Sequence, residues 1–359
     1  MRLYIVTGEN SGDLHAANLV RELNKIKDNV KYRAFGGDHL RNEGVSIALD
    51  IKSLSFMGFF EVLKNIKQVK NALVFCKKDI EDFNPNAIIF VDYSSFNLRI
   101  AKFAKSKGIR SFYYIPPKIW AWNKRRISKI KRYIDHVFVI FPFEKEFYDS
   151  YNIKVNYVGN PLLDYINKDR KELSYDFNKP IIALLPGSRK QEIDRILPVM
   201  LSVVKDFNDY QFVIACTKSF SRDYYSSFVK DRDVKLVFDE TYTLLDNSLA
   251  ALVTSGTATL ETALLNVPQV VCYRTHWITY LLAKMFVKVK YISLVNILLN
   301  ELVVKELIQS SLNKTNLSKE LLHVIKSNDK IKKGYYKLNK MLYKENVSKE
   351  AAELIINSI

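Results

Sequence analysis

Cysteine is scarce in this chain. Cys76, Cys216 and Cys272 are the only three in 359 residues, and they lie far apart without C-x-x-C spacing. This pattern excludes a disulfide framework and the common structural zinc sites. It is typical of a protein in a reducing cytosol.

Long apolar runs are missing as well. The chain starts MRLYIVTGENSGD, whose apolar run is too short for the core of a signal peptide. A spanning helix needs roughly 18 uninterrupted apolar residues. The nearest candidate, residues 280–299, is interrupted by Lys284, Lys288 and Lys290. We therefore expect no membrane-spanning helix.

The common nucleotide signatures are also absent. No G-x-G-x-x-G follows a predicted strand, and no G-x-x-x-x-G-K-[ST] occurs. A Rossmann dinucleotide site and a P-loop both lack their fingerprints, so a phosphate site must be sought in other loops.

Positive charge is plentiful. The net charge is +17, and residues 124–132 carry six cationic side chains without an acid. Such an excess of lysine is explained equally well by a solvent-exposed surface and by a binding partner. If a partner is involved, it is anionic: nucleic acid or an anionic lipid surface.

Short apolar segments alternate with longer amphipathic ones. Helical patterns occupy 14–26, 60–82, 97–107 and the lysine-rich stretch 317–359. Continuous apolar runs predict parallel strands that are covered on both faces, hence two doubly wound α/β domains that join near residues 159–180. The predicted strands are 3–8, 87–93, 111–115, 136–141 and 155–159 in the first half, and the segment after 180, 211–216, 234–239, 250–256 and 269–274 in the second.

Two loops of the second half indicate a nucleoside diphosphate site. Gly187-Ser188-Arg189 follows a buried strand, and Ser255-Gly256-Thr257 opens a helix. Free N–H groups, the helix dipole and an arginine fork all favour an anion. Glu261, one turn further on, has a carboxylate suited to two ribose hydroxyls. Each loop alone is equally well explained as a turn or a cap.

Two loops of the first half resemble binding loops more weakly. In residues 7–20, Gly8 and Gly12 permit close backbone approach, Ser11 can cap, and the helix is expected to begin near Asp13 or Leu14. In residues 90–108, Asp92 ends a buried strand and is a candidate general base. Capping and packing are the alternative interpretations of both loops, and packing is also the simpler interpretation of His15.

The ordered motifs resemble one family. They include GENSGDLHAANL, FMGFFEVL, VDYSSFNLRIAK, YYIPPKIWAWNKRRISKIKRY, YVGNPLLD, LLPGSRKQEI, VTSGTATLETALLNVPQVVCYR and ISLVNILLNELVVKELIQ. Together, from about residue 2 to at least residue 310, they closely resemble lipid-A-disaccharide synthase.

The resemblance implies a GT-B fold, which consists of two Rossmann-like domains around a central cleft. The first would be an acceptor and membrane-side domain over 1–164, with a helix at about 340–359 packing back, and the second a UDP-sugar domain over 165–339. The implied reaction transfers diacylglucosamine, with inversion, from UDP-2,3-diacylglucosamine to the 6-hydroxyl of 2,3-diacylglucosamine 1-phosphate. It needs no metal or cofactor. The implied place is the cytoplasmic face of a Gram-negative inner membrane, whose anionic surface is a partner, and a homodimer is compatible with the resemblance.

Site residues follow from the resemblance. Asp92 would be the base, and Arg189 with the helix start at Ser255–Thr257 would hold the diphosphate. Glu261 would bind the ribose, and Asn296 would lie at the nucleotide end. Ser11 and Gly12 would also contact the UDP-sugar. An acceptor or membrane surface is implied for Phe59, Phe60, Lys64, Trp120, Trp122, Arg125 and Arg126.

The chain departs from the family pattern at several positions. Ser94 and Ser95 stand where the family has a proline and a second acid, and Asn160 stands where it has a histidine. The surviving Asp92 is therefore the preferred base. The competing hypotheses are another GT-B UDP-sugar transferase or a UDP-sugar epimerase, which would not need aromatic and basic patches. A nucleic-acid-binding protein would leave the two phosphate loops unexplained.

Overall fold

The computed structural model describes residues 1–54, 66–120, 125–166, 177–230, 232–277, 280–281 and 290–359. The chain forms two compact units. Unit 1 comprises Met1–Asp164 together with Leu342–Ile359, and unit 2 comprises Tyr165–Met341. Among the described residues, no helix is long and apolar enough to span a bilayer.

Unit 1 contains a seven-stranded sheet, all of whose pairs are parallel, in the order β3-β2-β1-β4-β5-β6-β7. Its strands are β1 Arg2–Val6, β2 Lys31–Gly36, β3 Ser46–Asp50, β4 Ala87–Val91, β5 Arg110–Tyr114, β6 His136–Val139 and β7 Asn156–Tyr157. Its helices are α1 Asn10–Ile26, α2 Asp38–Asn42, α3 Ile66–Phe83, α4 Ser94–Ser106, α5 Arg126–Tyr133, α6 Pro142–Asp149 and α7 Leu163–Ile166, which crosses into unit 2.

Unit 2 contains a six-stranded parallel sheet in the order β10-β9-β8-β11-β12-β13. Its strands are β8 Ile181–Leu185, β9 Gln211–Cys216, β10 Val234–Phe238, β11 Ser248–Thr254, β12 Gln269–Tyr273 and β13 Lys305–Ile308. Its helices are α8 Lys190–Leu201, α9 Arg222–Val229, α10 Thr241–Asp246, α11 Thr257–Leu264, α12 Leu294–Leu299, α13 Lys314–Lys326 and α14 Asp329–Leu342. The last helix of the chain, α15 Val347–Ser358, belongs to unit 1.

The central strands are apolar along their whole length. All five residues of β4 and all five of β8 are buried, which fits strands that helices cover on both faces. The predicted doubly wound parallel architecture is thus confirmed in each unit. The sequence analysis missed β2, β3 and β13, whose mixed polar composition hides them.

The C-terminal helix packs on α1 within unit 1. Its N-terminus is held by Asp164, whose two carboxylate oxygens accept hydrogen bonds from the N–H groups of Val347 (3.1 Å) and Ser348 (2.7 Å). The Lys344 ammonium donates to the carbonyl oxygen of Tyr157 at 2.8 Å. These contacts tie the end of the chain to its first half.

Each sheet has a topological switch point, where successive connections leave in opposite directions. It lies between β1 and β4 in unit 1, and between β8 and β11 in unit 2. In open α/β sheets, ligands bind outside the carboxyl ends of the strands at such points. The four loops singled out in the sequence leave these four strands.

Candidate active site

The loop after β4 has an unusual backbone. Asp92 and Tyr93 both have positive φ angles, +49° and +43°. The left-handed region costs an L-residue roughly 1–2 kcal/mol, and neither residue is a glycine. Consecutive residues remain in such a conformation where the surrounding structure enforces it, commonly at functional sites.

Two buried donors hold the Asp92 backbone. The Tyr113 hydroxyl donates to the Asp92 carbonyl oxygen at 2.6 Å, and the Asn97 side-chain amide donates to the same oxygen at 2.9 Å. Both donor residues are fully buried. The sequence analysis quoted both residues within motifs but gave neither a role.

The loop after β1 packs against this segment. A Cβ atom at Gly8 would lie 2.2 Å from Cγ of Tyr93, so the ring occupies the space that any side chain at position 8 would need. The helix begins at Asn10, and its N-cap is Glu9. The predicted start near Asp13 and the capping role of Ser11 were therefore wrong. Asn10 and Ser11 are weak helix formers, which is why the sequence suggested a later start. Ser11 and the buried Gly12 lie in the first turn.

Two ionisable side chains of α1 are buried. The Asp13 carboxylate accepts hydrogen bonds from the N–H groups of Gly37 (2.6 Å) and His39 (2.9 Å), so it caps α2. Burial raises the pKa of Asp13 against these bonds. Burial, with help from the charge of Lys118, lowers the pKa of His15 to about 4. His15 is therefore a neutral imidazole at pH 7.

Arg126 contacts the start of α4, directly after the loop that holds Asp92. Its guanidinium donates to the hydroxyl oxygens of Ser94 at 2.6 Å and Ser95 at 2.9 Å. Burial lowers the pKa of Arg126, although an arginine stays charged at neutral pH. Arg125 is exposed at the N-cap of α5. A cation thus reaches the carboxyl end of β4 through the two serines that depart from the family pattern.

The Trp120 indole is engaged within the protein. Its N–H donates to Oε1 of Glu144 at 3.0 Å, while Oε2 accepts the backbone N–H groups of Ile140 and Phe141. Burial raises the pKa of Glu144 despite these bonds. The polar end of Trp120 therefore has a structural partner. The predictions for Phe59, Phe60, Lys64 and Trp122 fall outside the described residues.

In unit 2, the loop after β8 is shaped by a glycine. Gly187 has φ of +108°, and a Cβ there would lie 2.4 Å from a carboxylate oxygen of Glu192. Ser188 and Arg189 are exposed, and Arg189 Nη1 lies 3.4 Å from Glu192 Oε1. Glu192 was not predicted, although its position three residues after Arg189 at a helix start was a usable signal.

The loop after β11 leads into α11. Gly256 is the N-cap and Thr257 the first helical residue. The Ser255 hydroxyl donates to the carbonyl oxygen of Ile292 at 2.9 Å, which ties the loop to a neighbouring segment. The first N–H groups of a helix have no acceptor one turn earlier, so they are suited to bind an anion.

The two loops of unit 2 emerge side by side. Strands β8 and β11 are hydrogen-bonded neighbours, with Leu185 opposite Val253 in parallel register. Parallel strands end at the same edge of a sheet. The Gly187–Arg189 loop and the Ser255–Thr257 helix start therefore adjoin at one switch point.

Glu261 lies one turn into α11. The Tyr242 hydroxyl donates to its Oε1 at 3.1 Å. Burial raises the pKa of Glu261 from 4.5 to about 7, and the bond from Tyr242 opposes only part of that rise. A half-buried carboxylate that titrates near neutrality thus lies in the helix that starts at the switch point.

Asn296, predicted to lie at the nucleotide end of the site, is held by internal hydrogen bonds. Its Nδ2 donates to the Val304 carbonyl oxygen (2.8 Å) and to Glu306 Oε1 (2.9 Å), and its Oδ1 accepts the N–H groups of Val303 (2.8 Å) and Val304 (2.9 Å). Both N–H groups of the side-chain amide and both lone pairs of its oxygen are therefore used in hydrogen bonds. The fully buried side chain builds the turn before β13, and a direct ligand contact would require breaking one of these bonds.

Comparison with known proteins gives the decisive observation. The family model of lipid-A-disaccharide synthetase matches residues 3–359. The chain belongs to the lipid-A-disaccharide synthase family. It is 36% identical to lipid-A-disaccharide synthase 1 of Legionella pneumophila subsp. pneumophila over 98% of this chain and 94% of that protein. It is 35% identical to the lipid-A-disaccharide synthase of Syntrophus aciditrophicus over 91% and 89%.

Solved structures support the fold of this synthase family member. The glycotransferase of kitacinnamycin aligns with a TM-score of 0.68 at 12% identity, over 99% of this chain and 98% of that one. A UDP-GlcNAc 2-epimerase from Neisseria meningitidis bound to UDP-GlcNAc aligns with a TM-score of 0.64 at 16% identity, over 100% and 99%. The predicted family, the pair of Rossmann-like domains and the glycosyltransferase role in lipid A disaccharide synthesis are confirmed.

Proposed function

We propose that this enzyme transfers 2,3-diacylglucosamine from UDP-2,3-diacylglucosamine to the 6-hydroxyl of 2,3-diacylglucosamine 1-phosphate. Asp92 takes the proton of that hydroxyl while the hydroxyl oxygen attacks the anomeric carbon of the donor. The bond from the anomeric carbon to the diphosphate oxygen breaks, its electron pair leaves with UDP, and the configuration inverts. The products are a β(1→6) disaccharide 1-phosphate and UDP.

The observation that supports the donor half is the pairing of adjacent strands β8 and β11, from whose carboxyl ends the two candidate diphosphate loops leave. Arg189 and the first N–H groups of α11 neutralise the charge that develops on the diphosphate. The Glu261 carboxylate accepts both ribose hydroxyls. Asn296 acts indirectly, by holding the turn that precedes β13.

The acceptor half rests on the loop after β4. Asp92 lies in this loop, and Arg126 contacts the first two residues of the helix that follows it, Ser94 and Ser95. A base and a cation together suit an acceptor that carries a hydroxyl and a phosphate. Arg126 binds the 1-phosphate in this proposal, and Ser11 and Gly12, which follow the neighbouring strand β1, border the sugar.

The test is a transferase assay in mixed micelles with both lipid substrates and EDTA. We expect disaccharide formation in EDTA, and a loss of roughly 100- to 10,000-fold in kcat for Asp92→Asn. Arg189→Ala should lose roughly 100- to 1,000-fold. Lys190→Ala is the matched control, because this neighbouring cation pairs with Asp194 at 2.7 Å on the exposed face of α8. UDP binding without disaccharide formation would count against the acceptor assignment.

The membrane proposal rests on charge and on residues that carry the family resemblance. The net charge of +17 and the exposed Arg125 favour an anionic inner-membrane surface. The residues proposed to contact the lipid at the cytoplasmic face are Phe59, Phe60, Lys64, Trp120 and Trp122. Vesicle sedimentation tests the idea, because Phe59→Ser with Phe60→Ser should release the protein from anionic vesicles. A homodimer stays a prediction for light scattering to check.

A further inference from the structure

We infer that Tyr113 and Asn97 are positioning residues of the transfer reaction, which set the direction of the Asp92 carboxylate by binding the Asp92 carbonyl oxygen. The inference rests on the proposed function, in which Asp92 is the base. Neither residue touches substrate in this account. Both act through the backbone of the residue that does.

The geometry brings donors from two elements to one acceptor. Tyr113 lies on β5, which pairs with β4 in the register Phe90 opposite Tyr113, so its hydroxyl reaches past the end of β4. Asn97 lies in the first turn of α4, which follows the loop. Their bonds of 2.6 and 2.9 Å use both lone pairs of the Asp92 carbonyl oxygen.

These bonds specify an uncommon backbone. With φ at +49° for Asp92 and +43° for Tyr93, the Asp92 carbonyl faces the interior. A return to an ordinary conformation would turn this carbonyl away from both donors and swing the carboxylate with it. The Tyr93 ring against Gly8 fixes the second residue of the pair. The direction of the Asp92 carboxylate is therefore set by buried groups that take no part in the reaction themselves.

The hydrogen bond from Tyr113 to Asp92 could serve only to satisfy a buried hydroxyl, but this explanation is the weaker one. The Tyr148 hydroxyl is also buried in this unit, and within the described part of the chain it has no hydrogen-bond partner. This core thus tolerates an unsatisfied tyrosine hydroxyl close to Tyr113. The two hydrogen bonds that Tyr113 and Asn97 donate to the Asp92 carbonyl oxygen are better explained by the loop conformation that they stabilise.

The test is Tyr113→Phe, measured in the wild-type and Asp92→Asn backgrounds. The substitution keeps the ring in the core and removes only the donor. In the wild-type background we expect kcat to fall roughly 10- to 100-fold, because displacing a reacting group by about 1 Å costs that much. Both KM values should stay within about twofold. In the Asp92→Asn background the residual kcat should not fall further, because the two residues act as one unit.

The control is Tyr148→Phe, which removes a neighbouring buried hydroxyl without a bond and should leave kcat unchanged. Thermal unfolding of each variant shows that the assay temperature lies below its Tm. Wild-type kcat in Tyr113→Phe, or equal losses in both backgrounds, would overturn the inference. An Asp92→Asn enzyme with wild-type kcat would instead overturn the base assignment of the proposed function.

Discussion

The Tyr242 hydroxyl donates a 3.1 Å hydrogen bond to the Glu261 carboxylate, yet the pKa of Glu261 stays near 7. One neutral donor does not offset the cost of burying the charge. Ribose hydroxyls that donate to the same carboxylate would favour its ionised form. Nucleotide binding should therefore release a proton near neutral pH.

This linkage predicts pH-dependent binding of UDP-GlcNAc, a probe whose diphosphate diester does not titrate in the range used. The dissociation constant should not change with pH above pH 7. Below pH 7 it should rise, approaching a tenfold increase for each unit of pH decrease, because the free enzyme then holds a proton on Glu261 that binding must release. Calorimetry between pH 5.5 and 8.5 measures this. Glu261→Gln should bind more weakly at pH 8 with a flat profile, and an unchanged slope in that variant would refute the assignment.

The same pKa predicts how stability depends on pH. An acid whose pKa is higher in the folded state than its ordinary 4.5 binds protons preferentially in that state. Its unfavourable contribution therefore grows as pH rises from about 4.5 to about 7. Glu261→Gln should raise Tm at pH 8 and leave it nearly unchanged at pH 4.5, by calorimetric scans of the ligand-free protein. A constant Tm difference would contradict the burial of this charge.

Ser95→Asp tests the role of Arg126. A carboxylate at position 95, where the serine hydroxyl now lies 2.9 Å from Arg126 Nη2, would pair with the guanidinium and compete with the acceptor phosphate. The acceptor KM should rise roughly fivefold, the factor for ~1 kcal/mol, at unchanged donor KM. Ser95→Asn is the neutral control and should leave both KM values unaltered. A rise in the donor KM alone would contradict the assignment of Arg126 to the acceptor phosphate.

Gly187→Ala tests the shape of the loop after β8. Alanine there meets both an unfavourable φ and the Glu192 side chain. Gly108→Ala is the matched control, because Gly108 has φ of +69° and an added Cβ would meet nothing within 4 Å. The control should lose about 1–2 kcal/mol of unfolding free energy. Gly187→Ala should lose more and also bind UDP more weakly; equal losses would mean that Glu192 moves aside freely.

Asn296→Ala separates structure from ligand binding. Removing the amide leaves the N–H groups of Val303 and Val304 without their partner, which should cost ~3 kcal/mol or more in denaturant unfolding. At a temperature where the variant is folded, UDP affinity should change by less than about twofold. A large affinity loss in a stable variant would restore the direct contact that the sequence suggested.

The sequence predicted the elements that are apolar throughout, such as β4 and β8. It missed β2 because Lys31 and Arg33 make that strand look exposed. Arg33 is accommodated by Asp79, 2.6 Å away but distant along the chain. Similarly, β13 carries Glu306, whose carboxylate binds the N–H groups of Ile292 and Ser293. Such partners are set by tertiary structure and leave no local pattern.

The candidate site was predictable in its residue types and less so in its geometry. Loops at the ends of β8 and β11 follow from phosphate chemistry and strand order. The left-handed pair Asp92–Tyr93 does not, because no glycine marks it and its donors come from β5 and α4. Asn296 is the converse case: the family motif suggested a place at the nucleotide end, and no sequence pattern indicated the internal hydrogen bonds to Val303, Val304 and Glu306.

Unit 1 is discontinuous, since Leu342–Ile359 completes a unit that Met1–Asp164 begins. During translation, the first segment leaves the ribosome long before the helix that covers α1 has been made. Unit 2 is contiguous and its sheet can close while the apolar face of α1 still awaits α15. A chain that ends near residue 340 would thus contain every strand of both sheets but would leave the apolar face of α1 uncovered, and this exposed face makes it a substrate for chaperones and quality-control proteases.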